Sequence, residues 1–188
     1  RQRAVAGGGV GMNSTAHRID LVLYLLDAPR VLSVTARTYS HFAHLQPPDT
    51  RHGYLLRDGE EGRAEDTPVT DVEDMLIAMV QFEGGCTCLL RDAAIAHMAE
   101  EWRVAVYGTE AGATLQPLVL YATATDGLPV DCHPHVPDGP QGAHVQAYQH
   151  FFRCIRESRL TESPPERAVL LMRILDAIYR SAASGGRQ

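Results

Sequence analysis

The chain has 188 residues, enough for one domain with its own core, and it is 45% hydrophobic and 21% charged, as soluble globular proteins are. All 17 basic residues are arginines, so chemistry that needs a lysine amine from this chain is excluded. A net charge of −6 is unsuited to nucleic-acid or anionic-membrane binding, and no apolar stretch approaches a membrane span.

The opening, Arg1 to Gly11, is glycine-rich, lacks the apolar core of a signal peptide and has no initiator methionine. It reads as a piece cut from a longer chain. Gly7-Gly8-Gly9-Val10-Gly11 misses the G-x-G-x-x-G spacing and has no strand before it. It is therefore expected to be a hinge or a close backbone approach rather than a phosphate cradle.

A helix is predicted near 14–27, with Asn13, Ser14 and Thr15 as candidate N-caps and Pro29 as its stop. Its body, Ile19 to Leu26, is apolar over most of its circumference and is expected to be buried. One polar line runs along it: Asn13, His17, Asp20 and Tyr24. Spacing leaves two readings of that line. It is the solvated edge of a buried helix, or it is a site in which His17 occupies the first turn. There the helix dipole favours a neutral imidazole, suited to exchanging a proton with a substrate hydroxyl.

Residues 31–39 alternate and are β-branched, which predicts a strand. Residues 42–68 are rich in proline, glycine and charge and read as a long loop, with His41, His44, Arg51 and His52 in or beside it. Residues 72–82 and 86–95 form the clearest hairpin, turning on Glu83-Gly84-Gly85. Met75 and Met79 read as core, and Cys86 and Cys88 as packing residues on one side of a strand. Further strands are predicted at 102–107, 113–115 and 118–125.

Residues 126–142 read as loop. Cys132, His133 and His135 there lack a second ligand pair at a familiar spacing, so no metal is expected. Helices follow at about 143–158, with His144, Tyr148, Phe151, Phe152 and Ile155 on one face, and at 165–183 before Gly185-Gly186. Four cysteines are too few for a disulfide scaffold and read as reduced thiols in a cytoplasmic protein. A helix, a run of strands, then two helices argue an α+β class with a largely antiparallel sheet.

Several segments match one family in its order. Gly7-Gly8-Gly9 followed by Asn13-Ser14-Thr15-Ala16-His17-Arg18-Ile19-Asp20 resembles a "GGG…D-x-x-x-H-x-I-D" helix. Leu25-Leu26-Asp27-Ala28-Pro29 resembles its "LLGxP" ending, and Val72-Glu73-Asp74 with the hairpin to Gly85 its "VED…RFxNG" segment. Val104 to Gly112 and Leu175 to Ala182 match its "v-x-G-T-x-G" run and its last helix. The whole chain thus resembles the C-terminal domain of the glucose–fructose oxidoreductase / inositol dehydrogenase / MocA (Gfo/Idh/MocA) family.

The resemblance implies an open, largely antiparallel sheet with helices on one face, like the C-terminal domain of glyceraldehyde-3-phosphate dehydrogenase. It implies that residues 1–188 are a single substrate-binding and oligomerisation domain. An N-terminal Rossmann domain holding NAD or NADP, with a lysine from a Glu-Lys-Pro motif, would precede it. The implied reaction is hydride transfer on a sugar, polyol or related hydroxy compound, with no metal. A homo-oligomer, dimer or tetramer, would form through the sheet. His17 is the implied general acid/base, and Asn13, Asp20 and Gly9 the implied substrate-binding residues. Position 13 departs from the family, which has an acid there; an amide hydrogen-bonds but carries no charge to favour imidazolium. The alternative is a non-catalytic binding or assembly module of the same fold, with Asn13 marking lost chemistry. The isolated domain is not expected to turn over.

Overall fold

The computed structural model describes residues 3–41, 71–94, 96–99, 101–136 and 142–186. The predicted long loop with His44, Arg51 and His52 lies outside the described residues. The chain divides into two compact units, Arg1–Ala96 with Glu162–Gln188, and His97–Thr161.

The first unit begins with the short helix α1 (Arg3–Ala6), a π-helical turn (Gly11–Thr15) and helix α2 (Ala16–Leu25). Strands β1 (Val31–Tyr39), β2 (Met75–Phe82) and β3 (Thr87–Ala93) pair antiparallel in that order. Helix α4 (Pro165–Ala183) completes it. β1 has the predicted limits, because nine alternating residues with threonines and valines suit a half-buried strand. The β2–β3 turn uses Gly84 and Gly85 at φ 82° and 87°, where a side chain would be strained.

Period-2 alternation decides what is buried. Val34 and Ala36 of β1, Leu76, Ala78, Val80 and Phe82 of β2, and Leu90 of β3 share one face. Ile19 and Leu23 of α2 and Ile174, Leu175 and Ile178 of α4 close over that face. Each such aliphatic side chain contributes about 1.5–3 kcal/mol by leaving water. Ser181 Oγ accepts the Ala36 N–H (3.0 Å), tying α4 to β1. Met75 and Met79, expected in the core, have the opposite parity; with Ile77 they stand on the other face of β2 and are partly exposed. Cys86 and Cys88 do pack against the core, as expected.

The second unit holds β4 (Ala105–Tyr107), β5 (Ala111–Leu115), β6 (Leu118–Thr123) and β7 (Pro129–Cys132), an antiparallel sheet in chain order, and helix α3 (Ala143–Glu157). β7 corrects the loop expected over 126–142. Its proline is the first residue of an edge strand, a position that costs no ladder hydrogen bond. The aromatic face of α3 is exposed, and Cys154 is its buried residue. The class is α+β, with antiparallel sheets and helices.

Candidate active site

The polar line of the first helix lies in the first unit, but the helix begins differently from expectation. Asn13, Ser14 and Thr15 do not cap it: they lie inside a π-turn, closed by the Ala16 N–H on the Gly11 carbonyl. The helical run therefore starts near Gly11, and His17 lies beyond its first turn. π-turns are rare and recur at functional sites.

Two buried carboxylates hold this turn. Glu73, 2% exposed at the head of β2, accepts the N–H groups of Gly9 and Gly11 at 2.9 Å each on Oε1. The Tyr179 hydroxyl of α4 donates to the same oxygen (2.7 Å). The Glu73 carbonyl accepts the Val10 N–H (3.1 Å). A Cβ on Gly9 would collide with that carbonyl, and one on Gly8 or Gly11 with the Tyr179 hydroxyl. The glycine run is a close backbone approach, and what it approaches is a carboxylate of its own chain. Burial, then the bond to Glu73, pushes the Tyr179 hydroxyl above its ordinary value, so it stays a donor.

Asp92 of β3, 5% exposed, is the second anchor. Its Oδ2 accepts Ser14 Oγ (2.6 Å), Thr15 Oγ1 (2.8 Å) and an Arg18 guanidinium N–H (2.6 Å). A buried charge is tolerated only with such partners, and here three donors converge on each carboxylate.

The expected site residues stand as follows. Asn13 and His17 are exposed. Asp20 is half-exposed and pairs with Arg167 of α4 at 3.4 Å, while the Arg167 guanidinium lies 5.3 Å from the centre of the Tyr24 ring. Gly9 is buried, with its N–H on Glu73 and its carbonyl accepting the Asn13 N–H (3.2 Å). Cys132, His133 and His135 are exposed in the second unit, and among the described residues no three His, Cys, Asp or Glu are grouped to hold a metal. Burial first, then Cys86 nearby, raises the Cys88 thiol to about 11, so it is a neutral packing group.

Sequence reasoning missed Glu73, Asp92, Tyr179 and Arg167. One signal was available. Asp92 follows Cys88 and Leu90 at the same strand parity, and an acid at a core position requires donors from elsewhere.

A family described as "Oxidoreductase family, C-terminal alpha/beta domain" matches residues 1–187. The D-glucoside 3-dehydrogenase of Escherichia coli (strain K12) is 24% identical, over 98% of this chain and 50% of that protein. Among solved structures, the aldose-aldose oxidoreductase from Caulobacter crescentus complexed with glycerol superposes with a TM-score of 0.68 at 21% identity, covering 97% of this chain and 48% of that one. GenD2 from gentamicin A biosynthesis, in complex with NAD, gives 0.66 at 23% identity, covering 100% and 50%. The chain spans about half the length of these relatives.

Proposed function

The chain belongs to the Gfo/Idh/MocA oxidoreductase family as its C-terminal domain, and from that premise we propose that it is the substrate-binding half of a nicotinamide-dependent dehydrogenase of sugars or polyols. What carries the reading is that match, together with Asn13 and His17 exposed on a helix whose opening turn is anchored by two buried carboxylates. Sites on rigid, supported elements hold reacting groups in place.

In this reading His17 takes the proton of the substrate hydroxyl as the carbinol carbon becomes a carbonyl. Asn13 and Asp20 hydrogen-bond the substrate, and Gly9 supports Asn13 through its carbonyl. The glycine run does not fit a nucleotide: the N–H groups of Gly9 and Gly11 are already on Glu73, and Tyr179 fills the space beside Gly8 and Gly11. NAD or NADP would therefore be held by a preceding Rossmann domain, and there it would accept the hydride. The lysine-free composition fits the same division, because the family's lysine belongs to that other half.

Four cysteines in 188 residues, too few for a disulfide scaffold, are the ground for reading the protein as cytoplasmic. A homo-oligomer is proposed through the open face of the first sheet, where Leu32, Ile77 and Leu89 are exposed. The rival reading, a binding or assembly module without turnover, draws on Asn13 in place of the family's acid. The experiment is a screen of the full-length protein against sugars and polyols, following reduced nicotinamide by absorbance. Turnover of at least one is expected; saturable sugar binding without turnover supports the rival.

A further inference from the structure

The turn between Gly11 and Thr15 is wider than an α-turn and is gripped at both ends. Glu73 holds the backbone upstream of Asn13. Asp92 holds Ser14, the neighbour of Asn13, then Thr15, and Arg18, the neighbour of His17. A step of four residues overshoots an α-turn of about 3.6 residues, which sets positions 13 and 17 apart around an α-helix. A turn closed by i→i+5 bonds absorbs the excess and brings position 13 closer into line with position 17. Slipping into α-register would rotate Ser14 against Arg18 by about 40°, the excess of a four-residue step over one turn, and strain their shared hold on Asp92.

We propose that Asp92 is a positioning residue: by gathering Ser14, Thr15 and Arg18 on one oxygen, it fixes the π-turn register that makes Asn13 and His17 face the same substrate hydroxyl. This rests on the reading of His17 given above. Asp92 itself is buried, and its Oδ2 is taken by these three donors, so its role runs through the groups it holds.

The test is Asp92→Asn in the full-length protein, alone and combined with His17→Ala. Alone, kcat should fall about tenfold to a hundredfold, as misplaced reacting groups do, with the sugar KM changing less than about threefold. On the His17→Ala background the same change should cost less than about twofold, because it acts through His17. An equal loss on both backgrounds would overturn the proposal.

The ring signal of His17 in NMR gives a readout without turnover. It should move in Asp92→Asn, while that of the exposed His144 stays. A moved His17 signal in a protein that oxidises no sugar keeps the positioning role and removes the dehydrogenase reading. An unmoved signal removes the positioning role whatever the activity. If Asp92→Asn does not fold, Ser14→Ala withdraws one of the three donors and is read in the same way.

Discussion

In the first unit Leu23, Leu76 and Ile178 are fully buried where two helices meet the sheet, and in the same unit two carboxylates are buried with donors in place. In the second, Val119 and Cys154 are the buried apolar residues among those described, while Tyr107, Leu120 and Phe152 face outward. Aligned donors around a buried charge require fixed backbones, and fixed backbones require a packed core. In the proposed reading, that is why Asn13 and His17, rather than the more numerous exposed histidines and aromatics of the second unit, are the groups held for chemistry.

The largest expected effect on this contrast is in the core. Leu76→Ala should cost about 2–5 kcal/mol, through lost burial and the cavity left behind. Leu120→Ala, on an exposed position, should stay within about 0.5 kcal/mol. Urea unfolding followed by circular dichroism compares the two; equal costs would erase the distinction between the units.

A smaller effect sharpens the site within the first unit. Asn13→Asp places a carboxylate close to His17 and favours imidazolium, so the acidic limb of the pH–rate profile should move to higher pH by about one unit. An unchanged rate and profile would show that position 13 does not tune the histidine.

The smallest effect concerns the packing cysteines. Cys88 is raised from 9.0 to about 11 by burial, so folding favours its neutral thiol. That contribution is complete below pH 9 and is lost as pH rises toward about 11. Cys88→Ala should therefore flatten the fall of Tm between these values. An alkaline limb of unchanged slope would mean that the thiol is not desolvated in the folded protein.

Much of this architecture was legible in local sequence. β1, the β2–β3 hairpin, α3 and α4 follow from period-2 and period-3.6 patterns and from glycine and proline punctuation. The start of the helix that carries Asn13 and His17 was not. Asn13, Ser14 and Thr15 are good N-caps by residue type, yet the backbone there is set by Glu73 and Asp92, which are 62 to 78 residues from the groups of this turn that they bind. Parity misplaced Met75 and Met79, because an apolar run without alternation does not say which face is inward. β7 was hidden by Pro129, which reads as a breaker but suits the first position of an edge strand. His17 came from resemblance and spacing, whereas its supports became visible only when the sheet brought them together.

The central claim is that this helix supplies the proton-transfer group of a dehydrogenase. The most direct measurement is the rate of nicotinamide reduction by full-length wild type and His17→Gln on the best sugar of the screen, across pH 5 to 10. The account predicts a fall in kcat of about 10²–10⁴-fold in His17→Gln, with the acidic limb of the wild-type profile gone. A variant that keeps the wild-type rate and the wild-type limb would contradict it.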